Sequence, residues 1–365
     1  MTTHRDAETA MATKRHEKTQ KMTTEGRPCA SVSSSPFRAF SCLFVAILFF
    51  GANPAPAADT LELVQTVVLK GKAGKLDHLA LDGKRDRLFL ANTVNGTLDV
   101  VDLKAGKLLK QVPGQTGIQG VAYAADLDRV FVGLGSGGLC NVFDGADYKP
   151  LKTIKFFDDA DNVQYDAARH LVFVAHAEKA LGVVDAKTFA VKADVKLPGA
   201  AEGFRVAADS PRLYLAVPSP SVVAVIDVEK NEVAVTYPVK LAGGGHPLAI
   251  DDAHKRVFVG CRQPAAVVVM DGETGKEVTS VAVPGEIDDL FYDAKRKRLY
   301  ASCGEGYLAV IRQSDADHYG AADRVPTTKG AKTSLFDADS SRLFLAVPRQ
   351  AGKEGPEVRV YKVRD

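Results

Sequence analysis

The chain has 365 residues with 47 Lys and Arg against 45 Asp and Glu, five cysteines and no tryptophan. That length is large for one ordinary core and allows two domains. The small net charge of +2 gives no concentrated basic face of the kind nucleic acid requires, so nucleic acid is not indicated as a partner.

The first element is a targeting segment. Residues 1 to 38 carry Arg5, Lys14, Arg15, Lys18, Lys21, Arg27 and Arg38, and a short apolar run follows from Cys42 to Phe50. Ala55-Pro56-Ala57-Ala58 supplies a small-residue cleavage pattern. Basic region, short apolar run and cleavage site together read as a signal peptide over residues 1–57. The run is shorter than the roughly 20 residues that span a bilayer, so no membrane span is expected after cleavage. Translation can start at Met1 or at Met22, the second giving a signal of ordinary length. A periplasmic or extracellular protein is expected. Setting aside the seven basic and four acidic residues of that segment leaves 40 basic and 41 acidic ones, a nearly neutral mature chain.

Residues 58–365 repeat. An anchor followed by an apolar-aromatic run recurs as Arg87-Leu88-Phe89-Leu90, Arg129-Val130-Phe131-Val132, His170-Leu171-Val172-Phe173, Arg212-Leu213-Tyr214-Leu215, Arg256-Val257-Phe258-Val259, Arg298-Leu299-Tyr300-Ala301 and Arg342-Leu343-Phe344-Leu345. The anchors lie 41 to 44 residues apart, a period that fits four short strands with their turns. Each unit reads as an inner strand such as His78–Leu81, a tight turn, the anchor strand, a third strand ending in Asp such as Leu98–Asp102, and a fourth such as Lys276–Val281. Seven such units predict an all-β fold, a seven-bladed β-propeller of four-stranded antiparallel blades. The seventh unit ends at its third strand, Val358–Tyr361, and the orphan strand Leu61–Leu69 is expected to complete it and close the ring.

Phe89-Leu90-Ala91-Asn92, followed by Gly96-Thr97-Leu98-Asp99-Val100-Val101-Asp102 and Ala105-Gly106-Lys107, resembles a repeat of the YVTN-type β-propeller proteins. The resemblance covers essentially residues 59–365 and is best in the first unit; the middle units keep the spacing and lose the asparagine. It implies an exported propeller and no single activity, since function belongs to sites rather than folds.

Aligned on the anchors, the residues leading into the inner strands form two rings. The first is Asp77, Gln119, Asp161, Glu202, His246, Asp288 and Lys332; the second is His78, Gly120, Asn162, Gly203, Pro247, Asp289 and Thr333. The polar members are the candidate ligand-binding residues of a channel mouth: Asp77, His78, Gln119, Asp161, Asn162, Glu202, His246, Asp288, Asp289 and Lys332. Of these, Asp77, Asp161, Glu202, His246 and Asp288 form a candidate metal set, whose oxygen ligands suit a divalent cation such as calcium or magnesium. The competing expectation is a hydrated mouth whose polar residues need no ligand, and the cofactor stays unknown.

His78, His176 and His246 map to mouth-side loops, His170 takes the place of an anchor arginine, and His254 and His318 map elsewhere. Cys140, Cys261 and Cys303 remain after the signal, an odd number. Cys261 and Cys303 occupy equivalent places in adjacent units, too far apart for a disulfide, so two buried free thiols are expected. No CxxC or CxxCH motif is present. Gly135-Ser136-Gly137-Gly138 precedes a strand, not a helix, and fails as a phosphate loop. No nucleophile motif accompanies the histidines, so no catalytic residue is assigned.

The leading expectation is a monomeric, non-catalytic binding or scaffold protein that takes a small molecule, metal or protein partner at its mouth. A lactonase-type hydrolase using an acidic or metal-bound site is the second reading. An accessory protein of a periplasmic redox system is the third.

Overall fold

The computed structural model describes residues 60–177 and 179–365; the expected signal peptide lies outside the described residues. The described chain forms seven four-stranded antiparallel sheets. Blade 1 comprises Leu79–Asp82, Arg87–Asn92, Thr97–Asp102 and Lys107–Val112, running from the inner strand to the outer one. Blades 2 to 6 repeat that order from Ile118, Val163, Phe204, Gly243 and Ile287. Blade 7 takes Ser334–Asp337, Arg342–Val347 and Glu357–Val363 from the C-terminal end and Leu61–Val68 from the N-terminal end. Leu61 pairs with Val363 and Val68 with Glu357, with a register shift between Leu63 and Gln65. The expected closing strand is therefore the outer strand of the last blade.

Burial follows the position of each strand. Second strands are apolar on both faces because each face meets a neighbouring blade. Phe89, Phe131, Phe173, Phe258 and Phe344 are fully buried at equivalent positions, and Tyr214 and Tyr300 nearly so. Outer strands such as Lys107–Val112 are largely exposed. The apolar side chains gather into seven clusters, each lying between two consecutive blades. One joins Phe344, Ala346, Val358 and Val360 of blade 7 to Leu79, Leu88 and Leu90 of blade 1. The ring thus closes through a core of the same kind as the other six.

Turn chemistry sets the register. The residue before the second strand is left-handed in six blades: Asp86, Asp128, His170, Lys255, Lys297 and Ser341 have φ of 51–53°. The structure corrects the sequence alignment here. His170 is a turn residue, and Leu171 pairs with Asp185 as Arg87 pairs with Asp102. The anchor of blade 3 is therefore Leu171, and the aromatic positions Phe131, Phe173 and Tyr214 fall into line. The inner strand ends in an Asp that also shapes this turn. Asp82, Asp166, Asp251 and Asp293 each accept the backbone N–H three residues on and pair with that residue's side chain, Arg85, Arg169, His254 and Arg296.

The anchor arginines stitch blades together. Arg87 donates to the Tyr148 hydroxyl of blade 2 at 2.7 Å, and Arg129 to the carbonyls of Ala186 and Lys187 in blade 3. Arg256 reaches Asp317 in blade 6, and Arg298 reaches the Arg364 carbonyl at 2.6 Å. Arg342 of blade 7 donates to Asp86 of blade 1 at 2.7 Å and so repeats the link across the closure. Blade 3 has Leu171 at this position, and Arg169 makes the link to blade 4 through the Ser210 carbonyl. Among the described residues no helix is long and apolar enough to cross a membrane.

Candidate functional site

The inner strands start side by side around the channel, and their spacing there is small. A Cβ on Gly120 would lie 2.0 Å from the Asp161 carbonyl oxygen, and one on Gly203 would lie 2.7 Å from that of His246. Glycine at these two ring positions lets blades 2 and 4 approach blades 3 and 5. The polar residues that precede or share these ring positions are thereby drawn into one recess.

That recess is a cavity of about 230 Å3, lined from blades 1, 3, 4, 5, 6 and 7. Nine of the ten sequence candidates line it: Asp77, His78, Asp161, Asn162, Glu202, His246, Asp288, Asp289 and Lys332. Gln119 does not; its side chain accepts from Lys75 Nζ at 3.0 Å and donates to Asp159 at 3.0 Å on the rim. Lys75 and Arg205 also line the recess and were not among the candidates. Lys75 falls two residues outside the aligned ring. Arg205 lies two residues beyond Gly203, where the other blades have Ala80, Ala122, Gln164, Ala249, Phe291 and Leu335. A basic residue in that mostly apolar series was the signal available.

Charges in the recess are interleaved. His246 spans two blades, with Nδ1 3.2 Å from Glu202 and Nε2 3.2 Å from Asp288. Asp288 also pairs with Arg262 and lies 3.4 Å from Lys332 Nζ. Lys75 Nζ is 2.6 Å from Asp77. His78 lies 3.8 Å from both Asp77 and Asp289. The backbone N–H of Ser334 donates to Asp289 at 2.7 Å.

These surroundings separate the carboxyls. Burial pushes Asp161 up to about 6, against the opposing charge of His78 and with help from Asp77 and Glu202. Burial likewise lifts Asp289 to about 6, with His78 opposing and Asp288 adding to the rise. Glu202 is raised by burial, with His246 opposing. Asp288 goes the other way: burial is outweighed by its bond to His246 and by Lys332 and Arg262, which hold it well below the usual carboxylate range. For His78, burial is outweighed by Asp77, Asp289, Asp161 and Asp288, and its pKa is raised.

The candidate metal set is distributed around the recess. Asp77, Asp161, Glu202, His246 and Asp288 share the recess, yet among the described residues no three His, Cys, Asp or Glu side chains form a group able to hold a metal ion. Most of its members are paired with neighbouring groups. Lys75 pairs with Asp77, Arg262 and Lys332 neutralise Asp288, and His246 is spent between Glu202 and Asp288. The remaining histidines serve structure: His176 stacks on Phe156 and bonds Asp194 at 2.8 Å, and His254 and His318 bond Asp251 and Asp315 within their turns. Cys140, Cys261 and Cys303 are free and buried, and burial pushes each thiol up to about 12.

No family model and no curated protein matches the sequence. Solved structures do match the fold. The WD40 repeats of RRP9 align with a TM-score of 0.72 at 11% identity, covering 84% of this chain and 99% of theirs. The chain is a seven-bladed β-propeller. Other matches are a chain of the mitotic checkpoint complex, at a TM-score of 0.71 and 14% identity over 93% of this chain and 99% of that one, and Kuenenia stuttgartiensis hydrazine synthase, at 0.67 and 16% over 76% and 94%. At such identities the likeness is one of fold.

Proposed function

We propose that the chain is an exported, non-catalytic binding module that holds a small polar molecule at the mouth of its central channel. The carrying observation is the recess itself: five carboxyl groups interleave with Lys75, Lys332, Arg205, His78 and His246 from six of the seven blades. Such a mixed surface suits a ligand with both donors and acceptors, and its concavity favours a small molecule over a flat protein partner. The YVTN-type resemblance fits this reading. Asn92, its characteristic residue in blade 1, is buried and donates to Asp99 at 2.8 Å, so the motif there secures the strand pair and leaves function to the channel.

The test is retention. The purified chain is incubated with a small-molecule extract of its own host, washed, and the released compounds are measured by mass spectrometry. One or more polar compounds retained by the wild type and lost by Glu202→Gln and His246→Ala support the proposal; identical profiles for all three overturn it. Export to the periplasm or the medium is checked by fractionation and by sequencing the mature N-terminus, which is expected near Ala58.

One observation favours a hydrolytic reading. Asp161 and Asp289, both lifted to about 6, lie within one recess with two histidines and can exchange protons near neutral pH. Turnover of any member of a lactone panel, abolished by Asp161→Asn, would favour this over pure binding.

A further inference from the structure

Below the mouth the channel widens into a second cavity of about 380 Å3. The two share His78, Asn162, Arg205 and Asp289, which form the floor of the mouth and the roof of the lower chamber. Past that layer apolar side chains join the wall. Ala80, Ala122, Phe291 and Leu335 face the channel from blades 1, 2, 6 and 7. Tyr123, Gln164, Tyr165, Ser334 and Asp337 add polar groups to the same wall, and a volume of a few hundred Å3 that combines apolar side chains with placed polar groups is the usual form of a small-molecule site.

Arg205 is the unusual member of this layer. Among the described residues its guanidinium donates one hydrogen bond, to the Phe204 carbonyl at 2.8 Å, and sits over the Phe291 ring at 5.6 Å from the centroid. It forms no ion pair within 4 Å among those residues, whereas Arg262, Arg256 and Arg342 each do. A guanidinium has five N–H donors, and this one is half-buried at the channel wall. Burial draws its pKa down, with Asp289 opposing. Most of its donors are left for whatever occupies the channel.

We propose that the lower chamber binds a small organic carboxylate, its carboxylate on Arg205 and its apolar body against Phe291, Leu335, Ala80 and Ala122. The planar fork of one arginine matches a flat monoanion in a two-bond arrangement. A phosphate dianion fits less well, because Asp289 in the roof and Asp161 and Asp288 in the mouth oppose a second negative charge. Phe291 supplies a flat face for the carbon skeleton next to the guanidinium. The inference rests on the reading of the channel mouth as a ligand site and adds the chemistry of the chamber beneath it.

Phenylacetate and hexanoate serve as probes, with phenylacetamide and hexanamide as uncharged counterparts. Binding to the purified full chain is followed by ligand-observed NMR and titration calorimetry. The acids are expected to bind at least about tenfold more tightly than the amides. Arg205→Gln is expected to remove that preference, and Arg205→Lys, which keeps the charge without the fork, to leave an intermediate one. Circular dichroism shows whether each variant is folded; if Arg205→Gln is not, Ala122→Phe, which fills the chamber and leaves the mouth intact, is expected to weaken both acids. Equal binding of acid and amide to the wild type, absence of binding by both acids, or acid binding unchanged in Arg205→Gln overturns the proposal. If the acids fail while the retention of host compounds still depends on Glu202 and His246, the mouth reading stands and the chamber reading alone falls.

Discussion

Asp161 carries the clearest pH consequence of the mouth. Its side chain forms no hydrogen bond or ion pair within 4 Å among the described residues, and burial lifts it to about 6 from 3.8. The folded chain therefore holds a proton between roughly pH 4 and 6 that the unfolded chain releases, so this residue makes stability fall as pH rises through that window. Above the window its charge costs the fold about 3 kcal/mol. Asp161→Asn is expected to raise the thermal midpoint at pH 7.5 and to leave it unchanged near pH 4; a variant that is no more stable at pH 7.5 contradicts the assignment. The cysteines give a second prediction at this scale. With thiols near 12 and side chains fully enclosed, Cys140, Cys261 and Cys303 should resist a thiol reagent in the native state and all react on denaturation. Rapid labelling of any of the three under native conditions would show that its blade opens.

The strand, with its turns, is the element from which the ring is built, and the approach of neighbouring inner strands decides whether the mouth exists. Gly120→Ala would press a methyl group onto the Asp161 carbonyl. It is expected to cost about 3 kcal/mol and to weaken mouth binding, because the displaced backbone carries Asp161 and Asn162. Gly83, whose added Cβ would meet open space, is the control: Gly83→Ala should be nearly neutral. This scale also explains what the sequence made legible. The buried aromatic of each second strand recurs because every blade solves the same packing problem, so the blade count could be read from one residue per unit. The anchor of blade 3 was misread because His170, a left-handed turn residue, stands one place before the strand, where its polarity mimics the missing arginine. Nine mouth residues were legible because a repeat fold turns equivalent sequence positions into equivalent spatial ones. Arg205 and Lys75 were not, since each occurs once: Lys75 lies two residues outside the aligned ring, and Arg205 takes its meaning from residues on other blades. Nor could the alignment show which cations pair with the acidic residues; Lys332 meets Asp288 44 residues away in sequence, across a blade boundary.

At the scale of the whole molecule, a ring joined at every boundary by an apolar cluster depends on its closure. The N-terminal strand contributes Leu61 and Val67 to the clusters on the two sides of blade 7, and Leu69, just beyond it, joins the second. Deleting residues 61–69 would leave that blade with three strands, an exposed edge and two incomplete cores. The truncated chain is expected to lose its single cooperative unfolding transition and to self-associate in light scattering, and a synthetic peptide of residues 60–70 should restore the transition. Cooperative unfolding of the truncated chain at an unchanged midpoint would contradict the closure. The same ring gathers one recess from six blades, and the proposed function requires binding there. The most direct measurement is a crystal structure of the full chain grown with the compound it retains from its host. Density for that compound is expected in the mouth, among Glu202, His246 and Asp288 and reaching toward Arg205. Density for it on the outer strands or on the opposite end of the channel, with only water at the mouth, would contradict it.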